Sequence, residues 1–142
     1  MKRKVTWMVL MGVLPAALAG CAANRSNLVA SGTVALSRES PRRLSFPWIR
    51  VYQENATVLV RGSIQRAPYF NGHASGVVGV HLLDQHGTQL AETETPFRPG
   101  RIPIKGARRS HFQAELDGPV PAGSIVHVDY HSRPGICNHL RL

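Results

Sequence analysis

Seven histidines and two cysteines are the residues of this chain best suited to bind a metal ion. Near the C-terminus, His127, Asp129 and His131 alternate along a segment that we predict as a strand over 124–131. Alternate residues of a strand share one face, so all three are expected to point outward. His127 and His131 would lie about 13 Å apart, at about 3.3 Å per residue, which is too far for one ion. A neighbouring strand must therefore supply further ligands.

The last segment of the chain offers such a neighbour. If residues 136–142 return as a strand after a five-residue loop, Asp129 is paired with Cys137. The same register pairs His127 with His139, and directly paired Cβ atoms lie about 5 Å apart. These ligand types suit copper or zinc, but a four-residue loop would separate them, and the chain has no recognised spacing such as Cys-x-x-Cys. We therefore expect no cofactor and keep a copper or zinc site at these four residues as an alternative.

Catalytic patterns are absent from the sequence. It contains no nucleophile elbow, no glycine-rich loop that could hold phosphates, and no pair of carboxylates near an expected cleft. We therefore expect no enzymatic activity.

The elements that position these residues are predicted to be strands. Short apolar or alternating runs recur between glycine and proline turn signals, and none has helical periodicity. Seven or eight strands of this kind favour an all-β, antiparallel, immunoglobulin-like sandwich over a barrel. The predicted strands are 32–37, 46–53, 57–64, 77–83, 89–93, 109–116, 124–131 and, as an eighth, 136–142.

Part of the chain resembles immunoglobulin-like modules of periplasmic proteins. The resemblance rests on Gly76-Val77-Val78-Gly79-Val80-His81-Leu82-Leu83-Asp84 with Gly87, then Phe112, and then Pro121-Ala122-Gly123 before a strand. It covers about half of the chain and implies a fold, but a sandwich of this type hosts many unrelated functions.

The N-terminal residues have the features of a targeting signal. Three basic residues, Lys2, Arg3 and Lys4, precede a mostly apolar stretch that ends in Leu18-Ala19-Gly20-Cys21. This arrangement resembles the signal peptide and lipobox of bacterial lipoproteins. The stretch is too short for a transmembrane anchor, and Pro15 interrupts it; an ordinary secretory signal with another cleavage point is the alternative.

The resemblance implies three regions. Residues 1–20 would be a cleaved signal peptide, residues 21–31 a tether lipidated at Cys21, and residues 32–142 a single β-sandwich domain. Ala22 stands where an aspartate tends to retain such lipoproteins at the inner membrane, so the resemblance favours the outer membrane, facing the periplasm. Cys137 is then left without a disulfide partner.

The basic charge of the chain has two interpretations, an anionic partner or a solvated surface. The formal net charge is +9, and Lys105 is the only lysine after Lys4. An exported protein does not ordinarily meet chromosomal DNA, so lipid head groups, lipopolysaccharide phosphates or acidic proteins are the candidate partners. The alternative is a solvated surface without a partner, because the arginines are spread along the sequence.

Two segments are candidates for contact with a partner. The connection over 65–75 contains aromatic residues that would either anchor a partner or cover one end of the core. Residues 95–109 carry five cations and no acid; their prolines argue against a central strand and favour a stiff connection between two sheets. The candidate contact residues are Tyr69, Phe70, His73, Arg98, Arg101, Lys105, Arg108 and Arg109.

These expectations together describe a lipid-anchored structural or interaction module of an envelope assembly. Its partners would be the membrane, through the lipid on Cys21, and another envelope protein, with no role for nucleic acid. The alternatives are a metal-binding lipoprotein and a binder of anionic envelope polymers.

Overall fold

The structure is a computed structural model that describes residues 25–106 and 108–132. Every regular element in these residues is a β-strand, which confirms the predicted all-β class. No membrane-spanning helix is found in this part of the chain. The predicted signal peptide and the predicted strand over 136–142 lie outside the described residues. The strands are β1 (Ala35–Arg38), β2 (Leu44–Glu54), β3 (Thr57–Arg66), β4 (Ser75–Leu83), β5 (Gln89–Arg101), β6 (Arg109–Asp117) and β7 (Ile125–His131).

The seven strands form one nearly barrel-shaped sheet in the order β1-β7-β4-β5-β6-β3-β2. Neighbouring strands are antiparallel except β1, which pairs with β7 in parallel from Ala35 opposite Ile125 to Arg38 opposite Val128. The sheet is therefore mixed, and the expectation of a purely antiparallel arrangement was wrong. The reason is local: the Ala35 amide donates to the carbonyl of Ser124, so the chain enters β1 beside the start of β7 and runs in the same direction.

Alternation of apolar and polar residues builds the core. In β6, Ser110, Phe112, Ala114 and Leu116 are buried, while the residues between them are exposed. Strand β4 differs because it is buried on both faces from Val77 to Leu83. Residues that point away from the core on β4 are therefore buried as well, and polar groups among them need partners.

Strand β5 contradicts the expectation that proline excludes residues 95–101 from the sheet. It continues through Pro96 and Pro99 and lies in the middle of the strand order. Pro96 is still opposite Val77 of β4, whereas Arg98 is opposite His111 of β6. Pairing with β4 resumes where Arg101 is opposite Ser75, so the prolines occupy the stretch in which the register with β4 is interrupted, and there the missing amide hydrogen does the least damage to a ladder.

The sheet has two distinct ends. At one of them, here called the N-terminal end, the chain enters beside β2: Leu28 donates its amide to Val51, and Arg25 contacts Glu54 at 2.7 Å. The turns that follow β2, β4 and β6 lie at the same end. Leu28 is buried, so the structure packs this residue of the predicted tether against the domain.

Candidate functional site

The outer faces of β4 and β7 carry a group of polar residues, here called the histidine cluster: His81, His127, Asp129 and His131. Residues 127, 129 and 131 share one face of β7, as predicted, because the strand has a period of two. The antiparallel register places His127 opposite His81 and Asp129 opposite Gly79. The neighbouring strand that the sequence analysis called for is therefore β4.

The side chains of the histidine cluster converge on the carboxylate of Asp129. Nε2 of His131 lies 3.1 Å from Oδ1, and Nε2 of His81 lies 3.5 Å from Oδ2. One donor atom from each of these three residues lies within 4.8 Å of the others. The other ring nitrogen of His81, Nδ1, is 3.7 Å from Oε2 of Glu92 on β5.

His127 flanks this group and does not share the carboxylate. Its ring centroid is 6.0 Å from that of His81. Nδ1 of His127 is 3.0 Å from the hydroxyl of Ser37, and Nε2 is 4.0 Å from Glu39. His127 and Asp129 of the predicted metal site thus lie in the cluster, whereas Cys137 and His139 lie outside the described residues.

Electrostatics within the cluster follow from these contacts. The nearby Asp129 carboxylate raises the pKa of His81, although burial opposes this. Burial also acts to raise the pKa of Asp129, but the imidazoles of His81 and His131 outweigh it and leave that pKa below its usual value. Burial lowers the pKa of His127, which favours its neutral form. The cluster therefore favours an ionised Asp129 carboxylate beside a positively charged group.

A second group of residues lies at the end of the sheet opposite the N-terminal end. Three connections meet there, between β1 and β2, between β3 and β4, and between β5 and β6. Backbone hydrogen bonds tie them together: Ala67 donates to Arg43, Arg66 donates to Arg108, and Ile102 donates to Ala74. We call this surface the basic end, with the cations Arg42, Arg43, Arg66, Arg101, Lys105, Arg108 and Arg109.

Two of these arginines hold the β3–β4 connection in place. Arg108 donates to the carbonyls of Pro68, Ala67 and Phe70 at 2.8, 3.3 and 3.2 Å. Arg66, only 1% exposed, donates to the same Phe70 carbonyl at 3.2 Å. The Phe70 ring packs against the core, with the guanidinium of Arg66 5.1 Å from its centroid. Arg108 and Phe70, both predicted as contact residues, thus have structural partners within the domain.

The other predicted contact residues are more accessible. Tyr69 is 97% exposed, and His73, Arg98, Arg101, Lys105 and Arg109 are also exposed. Arg98 lies within β5, opposite His111 and three residues before the end of the strand at Arg101. The structure therefore brings Tyr69, His73, Arg101, Lys105 and Arg109 to one end of the sheet.

Most acidic residues lie outside this end. Four of the eight acids lie at or near the N-terminal end: Glu54, Asp84, Glu115 and Asp117. Two more contact the cluster histidines, Glu92 at His81 and Glu39 at His127. Glu94 lies opposite Gly79, and Asp129 belongs to the cluster itself. Of the three connections that form the basic end, those over 66–75 and 101–109 contain no acid, and the one between β1 and β2 contains a single acid, the exposed Glu39.

Sequence reasoning missed His81, Gly79, Arg42, Arg43 and Arg66. His81 could have been noticed from its outward position on a strand whose other face is apolar. The pairing of β4 with β7, which brings it to Asp129, could not be predicted from the sequence. No family model matches this chain, and no curated protein or solved structure yields a significant match.

Proposed function

We propose that this chain is an exported, lipid-anchored envelope protein whose basic end binds an acidic surface of another envelope protein. The observation that carries the proposal is charge separation. Seven cations and a single acid, Glu39, lie where three connections converge, and the other seven acids lie at the opposite end or along β5 and β7. A field of this shape steers an anionic partner toward one end of the molecule.

The position of the proposed tether supports this orientation. Cys21 precedes Arg25 by four residues, which span at most about 14 Å. Arg25 lies at the N-terminal end, and the ten residues of β3 separate that end from the basic end by about 33 Å. This separation is about four times the Debye length of about 8 Å at physiological ionic strength. The basic end is therefore expected to face away from the membrane that holds the lipid.

The residue types favour a protein partner. Arginine presents a planar fork that binds carboxylates through two hydrogen bonds, and most of the cations here are arginines. Tyr69 stands fully exposed among them and offers a large aromatic surface, the kind of residue that dominates interface energetics. A protein that binds anionic polymers would use the same cations, but such binding depends on charge and gives less reason for an exposed tyrosine.

The experiment is crosslinking in intact cells from a photoreactive group placed at Tyr69. The lipidated protein is then purified from separated membranes, and its adducts are identified by mass spectrometry. We expect one envelope protein with an acidic surface to be recovered reproducibly. Recovery of lipopolysaccharide alone would replace the protein partner with an anionic polymer, and recovery of no adduct would refute the proposal.

Two double variants separate the basic end from general charge. Arg101→Glu with Lys105→Glu reverses two exposed cations of the basic end, and we expect it to abolish the adduct. Arg50→Glu with Arg61→Glu makes the same charge change on β2 and β3, outside the basic end, and should leave the adduct unchanged. Equal loss in both would show that only net charge matters and would contradict a defined docking surface.

The remaining parts of the proposal concern location and fold. We propose the outer membrane, facing the periplasm, as the site of the protein, on the strength of Cys21 and Ala22. We also propose a relationship with immunoglobulin-like sandwiches. Its support is that β5 pairs with β4 and, at Arg98, also with β6. The strands on the β4 side and those on the β6 side are therefore joined through β5 and enclose one core.

A further inference from the structure

The histidine cluster takes no part in docking through the basic end, and its polar atoms have unusual surroundings. His81 is only 2% exposed although it points away from the core. Among the described residues, nine buried side-chain nitrogen or oxygen atoms have no hydrogen-bond partner, and five of them belong to this cluster. Three of these atoms approach Asp129 or a cluster imidazole only in ion-pair contacts, and a ligand bound among them would satisfy polar atoms that normally have partners when buried. The five atoms are Nδ1 and Nε2 of His81, Nε2 of His127, Oδ1 of Asp129 and Nε2 of His131.

Gly79 provides the space in which the cluster converges. It lies on β4 directly opposite Asp129. A Cβ atom at this position would collide with Oδ1 of Asp129 and would lie 2.9 Å from Nε2 of His131. Only glycine therefore allows the carboxylate and the imidazole to lie over β4 and approach His81. Glycine inside a strand costs about 0.5–1 kcal/mol relative to alanine, so its presence here needs a reason of this kind.

We propose that His81, Asp129 and His131 form a binding site for one divalent transition-metal ion of the zinc or copper(II) type. Two imidazole nitrogens and one carboxylate oxygen form a donor set suited to these ions, whereas calcium and magnesium prefer oxygen alone. The three donor atoms already lie within 4.8 Å of one another. Three protein ligands leave a tetrahedral ion one position for water.

The surroundings of the three ligands match those of metal sites. Oε2 of Glu92 is 3.7 Å from Nδ1 of His81, the ring nitrogen that faces away from Asp129. This distance is too long for a hydrogen bond, but it places a carboxylate beside Nδ1, and closing the gap by a few tenths of an ångström would let Glu92 accept the Nδ1 proton and leave Nε2 free for the ion. Glu92 and Asp129, with Glu94 opposite Gly79, also give this face a negative potential that attracts cations.

An ion pair between protonated His81 and Asp129 is the competing explanation. It accounts for one contact of the carboxylate. The contact of His131 Nε2 with the other oxygen at 3.1 Å, which Gly79 makes sterically feasible, would then be a second ion pair, and one carboxylate would face two largely buried imidazolium groups. A metal ion accounts for both contacts and for the glycine. This inference is independent of the proposed docking function.

The test uses the full-length protein purified in detergent, stripped with a chelator and titrated with zinc or copper(II) alone. Calorimetry gives the affinity and stoichiometry, and electron paramagnetic resonance of the copper form reports coordinated imidazole nitrogen. We expect one ion per chain. His131→Gln should weaken binding at least a hundredfold and remove one nitrogen from the spectrum, while His86→Gln, which changes an exposed histidine outside the cluster, should change neither.

Gly79→Ala is the most selective variant because it leaves every ligand in the chain. The new methyl group should push Asp129 and His131 apart and weaken metal binding at least tenfold, without lowering the unfolding midpoint of the metal-free protein. Gly100→Ala is its control, since a Cβ atom there meets only the Phe97 carbonyl at an ordinary 3.8 Å. Absence of stoichiometric binding by the wild type, or equal affinity in Gly79→Ala, would overturn the proposal. Binding that survives His131→Gln but is lost in Cys137→Ser would overturn it in favour of the ligand set predicted from sequence.

Discussion

Arg108 is predicted to stabilise the domain by holding the β3–β4 connection, whatever it contributes to a partner. Its guanidinium donates three hydrogen bonds to carbonyls of residues 67–70. A hydrogen bond to a charged group contributes about 1.5–3 kcal/mol when buried, and less with the partial exposure found here. Because three bonds from one group are not additive, we expect Arg108→Ala to lower the free energy of unfolding by about 2 kcal/mol.

The backbone at Arg108 allows a second variant to test this reasoning. Its φ angle is +49°, a region that costs a residue with a Cβ atom about 1–2 kcal/mol and glycine almost nothing. Arg108→Gly should therefore be less destabilising than Arg108→Ala by about 1 kcal/mol, although both lose the same hydrogen bonds. Arg108→Lys should be about as destabilising as the alanine variant, because one ammonium group cannot reproduce the planar fork.

Urea unfolding of the full-length protein in detergent, followed by circular dichroism, measures these differences. Hydrogen exchange of residues 67–70 locates them, since loss of the guanidinium should speed exchange in that connection before the strands. Wild-type stability of Arg108→Ala would refute the stabilising role. Equal stability of the alanine and glycine variants would refute the backbone contribution.

Three further predictions concern the strands and a turn. Ser63→Ala should raise the free energy of unfolding by about 1 kcal/mol in urea titrations, because the hydroxyl is fully buried without a partner beneath Trp48 and His111; a loss of stability would indicate a bound water. Gly62→Ala should lower it by about 1–3 kcal/mol, since the new Cβ atom would lie 2.5 Å from the Phe112 ring; wild-type stability would mean that the ring can move. Hydrogen bonds from the backbone amides of Thr88 and His86 lower the pKa of Asp84. The stabilising contribution of this carboxylate should therefore be present at neutral pH and lost as pH falls through the lowered pKa. A carboxyl NMR titration of wild type against Asp84→Asn can check this.

The strands were predictable because apolar and polar residues alternate with a period of two within each segment. Residues 109–117 alternate so regularly that burial follows from the sequence alone. Strand β5 was predicted too short because Pro96 and Pro99 exclude an ordinary central strand. What allows them is the interrupted register with β4 between Pro96 and Arg101, where β5 pairs with β6 at Arg98, and such an irregularity depends on packing among distant segments.

Both candidate sites depend on pairings that sequence spacing does not contain. His81 and Asp129 lie far apart in the chain and meet only because β4 pairs with β7. The cations of the basic end seemed scattered for a related reason. Antiparallel strands return every second connection to the same end, so Arg42, Arg66 and Lys105 converge although the sequence separates them widely.

The opposite placement of the N-terminal end and the basic end has a mechanical consequence. The long strands β2, β3 and β6 run between these two ends, so tension between the proposed lipid on Cys21 and the proposed partner at the basic end would act along their axes. Load in this direction shears a ladder and is shared by all its hydrogen bonds at once, whereas load across the strands breaks them one after another. A domain anchored and pulled in this way resists forces that would peel open a hairpin held from one side.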